Sequence, residues 1–466
     1  MEINNQVKAD AYIELGDRVA LEKSTQDAEI CYRTAIELMP EDPKAWYKLG
    51  QCQAACRLTD QQLTSFRFAV QFSDHNPEYL YHLGCLLDQM NLLAELDALL
   101  KTNYDRCCNN PWFLILDGIL QWRNEQWDAA KTILNKCLTL NPVQLLESKI
   151  QWLMGMILDR TGHYQEAYDC FNRMNQLDTP EDLSLKKLYR DQIFHMKQYI
   201  SNGGIRDQLR TKTANTSEPG ASVFLCGFPR SGNTLMGSIL NSHPQLVTRD
   251  EWGGVYNVIQ WMKSKGFLYP EDIEILPTDV LSEMRVLYRK QMNIDGINKF
   301  VDKSPLQIMN LCLIWRLFPN ARTIVMIRNP YDVCLSCFSQ RFVLNPAMQN
   351  FLTLEDTAQT YDQVMSVAKY YFEHPQTPLK LVRYEDLIKN FENECRSVCQ
   401  FLNIDYTVEL LNFQQHARKT REIRTPSYYQ IIQPIYRRSE NRWHNYKDFF
   451  SSITSYLEPW CQYFGY

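Results

Sequence analysis

The first half of the chain repeats one arrangement of small, bulky and helix-breaking positions. Leu15-Gly16, Leu49-Gly50 and Leu83-Gly84 recur with a period of 34 residues, Gly118 continues the series, and Pro43, Pro77 and Pro111 keep the same step. In the first unit Tyr12, Leu15, Gly16, Ala28, Tyr32, Ala35 and Pro40 fall where two antiparallel helices need bulk, close approach or a stop. A small residue at a helix crossing lets two backbones approach, and a proline ends a helix. The second unit keeps Trp46, Phe66 and Ala69, the fourth keeps Ala130 and Pro142, and a displaced fifth shows Gly155, Ala167 and Phe171. The third degenerates after Leu87. The pattern predicts an all-α solenoid of helical hairpins over residues 9–178.

A further helix, "SLKKLYRDQIFHMKQYI", and a stretch rich in Gly, Ser, Thr and Asn without hydrophobic periodicity then predict a connecting helix and linker over 179–220. From 221 to 466 the pattern changes. Short apolar runs with β-branched residues, "VFLCGF", "KFVDKS", "RTIVMIRN" and "LKLVRY", alternate with helical segments that start near Thr234, Leu306, Tyr331, Leu354 and Leu387. Such alternation predicts a P-loop-like α/β domain with a central parallel sheet covered on both faces, whose ligands bind beyond the carboxyl ends of the strands.

Chemistry-bearing residues gather at those strand ends. In "GFPRSGNTL", Gly227 and Gly232 permit a tight turn that points successive N–H groups into one concavity, and a helix opening at Thr234 adds its positive end. Ser231, Asn233 and Thr234 supply further donors. The lysine of a phosphate-binding loop is missing: Asn233 stands in its place, and Arg230 inside the loop carries the charge. In "IVMIRNPYDVCLS", Arg328 ends an apolar run and Ser336 lies eight residues on, about two helical turns away. An arginine and a hydroxyl so placed can grip one phosphate, which makes this a second and separate phosphate site. Taken alone, a solvated Arg230 and an Arg328 paired with Asp332 are the simpler readings.

The 34-residue pattern resembles the tetratricopeptide repeat. Two phosphate sites on an α/β core without the lysine resemble the sulfotransferases that use 3′-phosphoadenosine 5′-phosphosulfate (PAPS). Within them the likeness is nearer to the tyrosylprotein sulfotransferases and to bacterial sulfotransferases fused to tetratricopeptide repeats. "PRSGNTLMGSILNSHP", "DKSPLQIMNLCLIWRLFPNARTIVMIRNP", "LVRYEDL" and "TPSYYQIIQPIY…ENRW" carry the resemblance, in the family's order.

The resemblance implies a role for each matching position. Arg230, with Ser231, Gly232, Asn233 and Thr234, would hold the sulfate or 5′-phosphate oxygens. Lys303 would stabilise charge on the departing phosphate, and Arg328 and Ser336 would bind the 3′-phosphate. Tyr384, the segment from Ser427 to Pro434, and Arg442 would close over the nucleotide, with Ser427 near the transferred group. Glu251 would be the general base, with Asp250 as its rival. Plainer readings are a strand-end charge for Lys303, a core residue for Tyr384 and a helix cap for Glu251. No metal is required. Gly253 stands where the tyrosylprotein enzymes carry an arginine after the base, and Gln340 followed by Arg341 leaves the family's further phosphate-binding arginine displaced by one residue or missing.

The implied activity is protein sulfation: sulfuryl transfer from PAPS to a hydroxyl on a protein or peptide, tyrosine among the candidates, recruited by the repeats. A glycan or small-molecule acceptor comes next. The rival readings are a nucleotide kinase or NTPase, and a non-catalytic repeat scaffold. The repeat helices could equally pack against the rest of the chain or form a homodimer.

Composition narrows this only a little. The 466 residues carry a formal charge of −5, which gives no general attraction for nucleic acid or an anionic membrane. No apolar run is long enough to span a bilayer, and the N-terminus lacks the features of a secretion signal. The 15 cysteines are scattered through regular patterns, which favours buried, reduced thiols and a cytoplasmic location. Cys334 and Cys337 form a C-x-x-C with no partner at zinc spacing.

Overall fold

An Asx-Pro pair opens three successive repeats. Asp42, Asn76 and Asn110 each accept a backbone hydrogen bond from the first turn of the helix that follows, while Pro43, Pro77 and Pro111 take the first helical position. There a missing N–H costs nothing. The computed structural model describes residues 2–21, 25–204, 222–297, 299–374, 376–420 and 439–466. It divides into two compact units, Met1–Cys170 and Phe171–Tyr466.

The first unit is an array of antiparallel helical hairpins. Its helices are α1 (Glu2–Leu21), α2 (Thr25–Leu38), α3 (Pro43–Ala55), α4 (Thr59–Phe72), α5 (Pro77–Gln89), α6 (Leu93–Cys107), α7 (Pro111–Arg123), α8 (Trp127–Thr139), α9 (Gln144–Arg160) and the start of α10 (Tyr164–Asp178). A methyl group added at Gly16, Gly50 or Gly118 would lie 2.5–2.7 Å from Tyr32, Phe66 or Leu134 of the partner helix, so the glycines set the hairpin spacing. In the degenerate third repeat, Gly84 instead faces Leu116 of α7.

The second unit carries a five-stranded, wholly parallel sheet. Its strands β1 (Ser222–Gly227), β2 (Val247–Asp250), β3 (Phe300–Lys303), β4 (Arg322–Ile327) and β5 (Leu379–Arg383) lie in the order β2-β3-β1-β4-β5. The helices around it are α11 (Ser184–Ser201), α12 (Asn233–Asn241), α13 (Gly254–Ser264), α14 (Thr278–Met292), α15 (Leu311–Leu317), α16 (Pro330–Phe338), α17 (Leu354–Glu373), α18 (Tyr384–Lys389), α19 (Phe391–Leu402), α20 (Phe413–Thr420) and α21 (Thr454–Phe464).

Successive residues of β1 point to opposite faces, and both are covered. Val223 and Leu225 pack with Met236, Ile239 and Leu240 of α12 and with Val398 and Leu402 of α19. Phe224 meets Phe300, Phe318 and Tyr288 with ring centroids 5.7–6.3 Å apart. Burial of each such side chain contributes about 1.5–3 kcal/mol.

Two sequence expectations shift. The helix expected from Leu306 begins as a 3₁₀ turn over Pro305–Asn310 and becomes α-helical only at Leu311, because Ser304-Pro305 follows the strand directly. Between β2 and β3 stand α13, the helix implied by reading Glu251 as a cap, and α14, which sequence reasoning did not pick out. No described helix is long and apolar enough to cross a membrane.

Candidate anion-binding and transfer site

The turn after β1 is built from backbone that few residues tolerate. Gly227 (φ +151°) lies so close to β4 that a Cβ there would sit 2.4 Å from the Met326 carbonyl oxygen. At Gly232 (φ +99°) a Cβ would sit 2.8 Å from the Tyr384 ring. Arg230, between them, is held at φ +68°, a conformation that costs a non-glycine residue about 1–3 kcal/mol and needs support from its surroundings. Part of that support comes from Asn233, which opens α12 and is buried. Its side-chain NH2 donates to the Phe228 carbonyl at 2.9 Å, so this group closes the loop on itself.

The two phosphate positions that the sequence separates are contiguous. Arg230 Nε donates to Ser336 Oγ on α16 at 3.0 Å, and Arg328, just past β4, donates from Nη1 to the Arg230 carbonyl at 3.1 Å. Arg328 Nη2 donates to the Ser439 carbonyl, and its guanidinium lies over the Tyr384 ring, 5.1 Å from the centroid. The Tyr384 hydroxyl and Ser439 Oγ are 3.3 Å apart. Buried Arg328 Nε has no hydrogen-bond partner among the described residues. A buried cation held by carbonyl oxygens, with one donor to spare, fits an anionic ligand.

Asp332 does not hold Arg328 by a hydrogen bond. Its carboxylate accepts the backbone N–H groups of Asn441 and Trp443, at 2.7 and 2.9 Å, while Trp443 stacks on Tyr331 at 4.3 Å. Burial raises its pKa, against the pull of Arg328 and of those two N–H donors. Sequence reasoning missed this tie, whose only local trace is an acidic residue in the first turn of α16. Arg442, beside it, stands half-buried with its guanidinium 5.8 Å from the Tyr446 ring centroid. Ser427 lies outside the described residues.

The third component is a buried ammonium between two carboxylates. Lys303 ends β3, and its Nζ lies 2.5 Å from Asp250 Oδ1 and 3.0 Å from Glu251 Oε1. Burial pulls its pKa down, but Asp250 and then Glu251 outweigh it and hold the group above the ordinary lysine range. One residue back, Asp302 points to the other face, where Tyr288 Oη and Ser304 Oγ donate to it at 2.8 and 3.0 Å.

Two further expectations resolve. Arg341 pairs with Asp178 at 3.0 Å within the second unit. Cys334 and Cys337 are fully buried on α16, and burial pushes the Cys337 thiol up to about 12, as packed thiols behave. Among the described residues no group of His, Cys, Asp and Glu has the arrangement of a metal site.

Arg230, Arg328, Ser336 and Tyr384 thus meet at the carboxyl edge of one parallel sheet, on which Lys303 also ends a strand, with a glycine-bounded loop leading into a helix: an arrangement suited to an anion. Residues 222–408 match the model described as "Sulfotransferase family". An uncharacterized protein of Aquifex aeolicus is 22% identical over 81% of this chain and 50% of its own length. Protein-tyrosine sulfotransferase A of Caenorhabditis elegans is 25% identical over 46% of this chain and 58% of its own. The sulfotransferase domain of the Synechococcus PCC 7002 olefin synthase is 20% identical with a TM-score of 0.36, covering 50% of this chain and 90% of that domain. The chain spans about half to two thirds of the length of the curated relatives it matches.

Proposed function

We propose that the protein transfers a sulfuryl group from PAPS to a hydroxyl on a protein or peptide. The observation that carries this reading is the junction of Arg230, Ser336 and Arg328, two arginines and a hydroxyl from different loops at one point of the sheet edge. In this reading Arg328 and Ser336 hold the 3′-phosphate. Arg230 and the backbone N–H groups from Ser231 to Thr234 hold the other end of the nucleotide. Tyr384, already packed on Arg328 and against Gly232, flanks it.

PAPS supplies an activated sulfuryl group. Glu251 accepts the proton of the acceptor hydroxyl as its oxygen bonds to sulfur. The bond from sulfur to the bridging oxygen breaks, and that oxygen leaves with the electron pair as part of adenosine 3′,5′-bisphosphate. Lys303 and Arg230 neutralise the charge that develops on it. Such transfers are loose in-line displacements, so fixed cations and alignment supply most of the catalysis. Asn329, where a P-loop kinase or NTPase would place a magnesium-binding aspartate, spends its side-chain oxygen on capping α16. The helical repeats supply the surface that recruits the acceptor.

The test pairs binding with turnover. Adenosine 3′,5′-bisphosphate without magnesium should raise the melting temperature, and labelled PAPS with a cell lysate should yield labelled acceptors, lost with Arg230→Ala. Equal labelling by both proteins, or a requirement for ATP and magnesium in the melting assay, would overturn the proposal.

A further inference from the structure

Two carboxylates touch Lys303, and their settings differ. Asp250 is the last residue of β2 and stands in register with Lys303 on β3, so both side chains leave the sheet on one face. Their contact is the shorter, 2.5 Å, and the Asp250 side chain is 24% exposed against 2% for Lys303. Glu251 lies just past the strand at φ +55°, in a turn pinned by its own N–H, which donates to the Lys303 carbonyl at 2.9 Å. Its side chain is 52% exposed and makes the longer contact, 3.0 Å.

We infer that Asp250 is a positioning residue that holds the Lys303 ammonium in place, which leaves Glu251 as the carboxylate that exchanges a proton with the acceptor. This rests on the sulfuryl-transfer reading. A base must meet an acceptor arriving from solvent, and Glu251 is the more exposed of the two carboxylates on Lys303. A counter-ion for a buried ammonium acts best in close contact on its less exposed side, where Asp250 is. When Glu251 takes the acceptor's proton, Lys303 loses one of its two anionic partners. Asp250 keeps the ammonium charged and in position at the moment the departing oxygen needs it. The arrangement separates the proton taken from the acceptor from the charge offered to the leaving group.

The test uses the full chain with Asp250→Asn, Asp250→Glu and Glu251→Gln, each titrated with adenosine 3′,5′-bisphosphate by calorimetry. Between about pH 7 and about pH 9.5 the affinity of D250N should fall by about tenfold or more, because a buried lysine without its inner carboxylate loses its proton in that range. Wild type and E251Q should change by less than about threefold over the same range, and D250E should recover most of the wild-type profile. A second arm needs no nucleotide. D250N should lower the melting temperature more than E251Q, and Lys303→Met should suppress the D250N loss. Matching pH profiles for D250N and E251Q, or a D250N melting loss untouched by K303M, overturns the inference. If the wild-type protein does not bind the bisphosphate, the sulfuryl-transfer reading fails, and the melting arm alone still decides whether Asp250 holds Lys303.

Discussion

Arg230 Nε and Ser336 Oγ lie 3.0 Å apart, joining the loop after β1 to the helix after β4. One substitution should therefore be felt at both proposed phosphate positions. Arg230→Ala removes a charged donor and should weaken adenosine 3′,5′-bisphosphate binding by about 1.5–3 kcal/mol, roughly 10- to 150-fold. Ser336→Ala should cost about 1 kcal/mol. Because the two side chains touch, the double variant should lose less than the sum, by about 0.5 kcal/mol or more. Calorimetry on the four proteins measures this, and strict additivity would count against a shared site.

The glycines at either end of the loop should respond differently. Gly227→Ala drives a Cβ to 2.4 Å from the backbone oxygen of Met326, an atom that cannot move without disturbing β4. We expect about 2–4 kcal/mol of lost stability, read as a lower melting temperature. Gly232→Ala meets a ring edge of Tyr384 at 2.8 Å, and the ring can turn aside. This change should cost less stability but displace the aromatic group from Arg328, so nucleotide affinity should fall more than stability. The reverse ranking would show that the loop, not Tyr384, sets the geometry.

In the first unit the prediction concerns spacing. A methyl at Gly50 would fall 2.5 Å from the ring of Phe66, which is buried between α3 and α4. Gly50→Ala should destabilise the full chain by about 1–3 kcal/mol, the usual cost of overpacking. Phe66→Leu in the G50A background should recover part of the loss, whereas F66L alone should be destabilising. Melting curves of the three variants distinguish this steric account from a simple helix-propensity effect, in which alanine would stabilise.

The parts of this architecture that were legible in the sequence share a physical reason. The hairpins announce themselves because Gly50, Phe66 and the helix-opening prolines are local demands repeated at a fixed step. β1 and β4 read clearly because strands covered on both faces must be continuously apolar. Gly232 was visible because unusual backbone restricts the residue types allowed, and Arg230 because it is the charge of a loop that lacks the lysine. What stayed hidden depends on distant partners. Asp332 meets amides 109 and 111 residues downstream, and nothing near it in the chain says so. Asp250 and Glu251 are neighbours in sequence, and only the β2–β3 register separates the inner carboxylate from the outer one.

Asp302 gives the stability of the second unit a pH dependence of unusual sign. Burial raises its pKa to about 6, although the donors Tyr288 and Ser304 pull it down. In the unfolded chain an aspartate ionises near 3.9, so between about pH 4 and about pH 6 the folded protein holds the extra proton. Stability from this group is therefore present at low pH and is lost as pH rises through that window. The loss amounts to about 2–3 kcal/mol, the size of a shift of roughly two units. Asp302→Asn keeps the shape, never ionises and should remove that loss. Relative to wild type, D302N should thus gain about 2–3 kcal/mol between about pH 4 and about pH 7 in denaturant titrations. Parallel profiles for the two proteins would mean that Asp302 ionises as easily folded as unfolded.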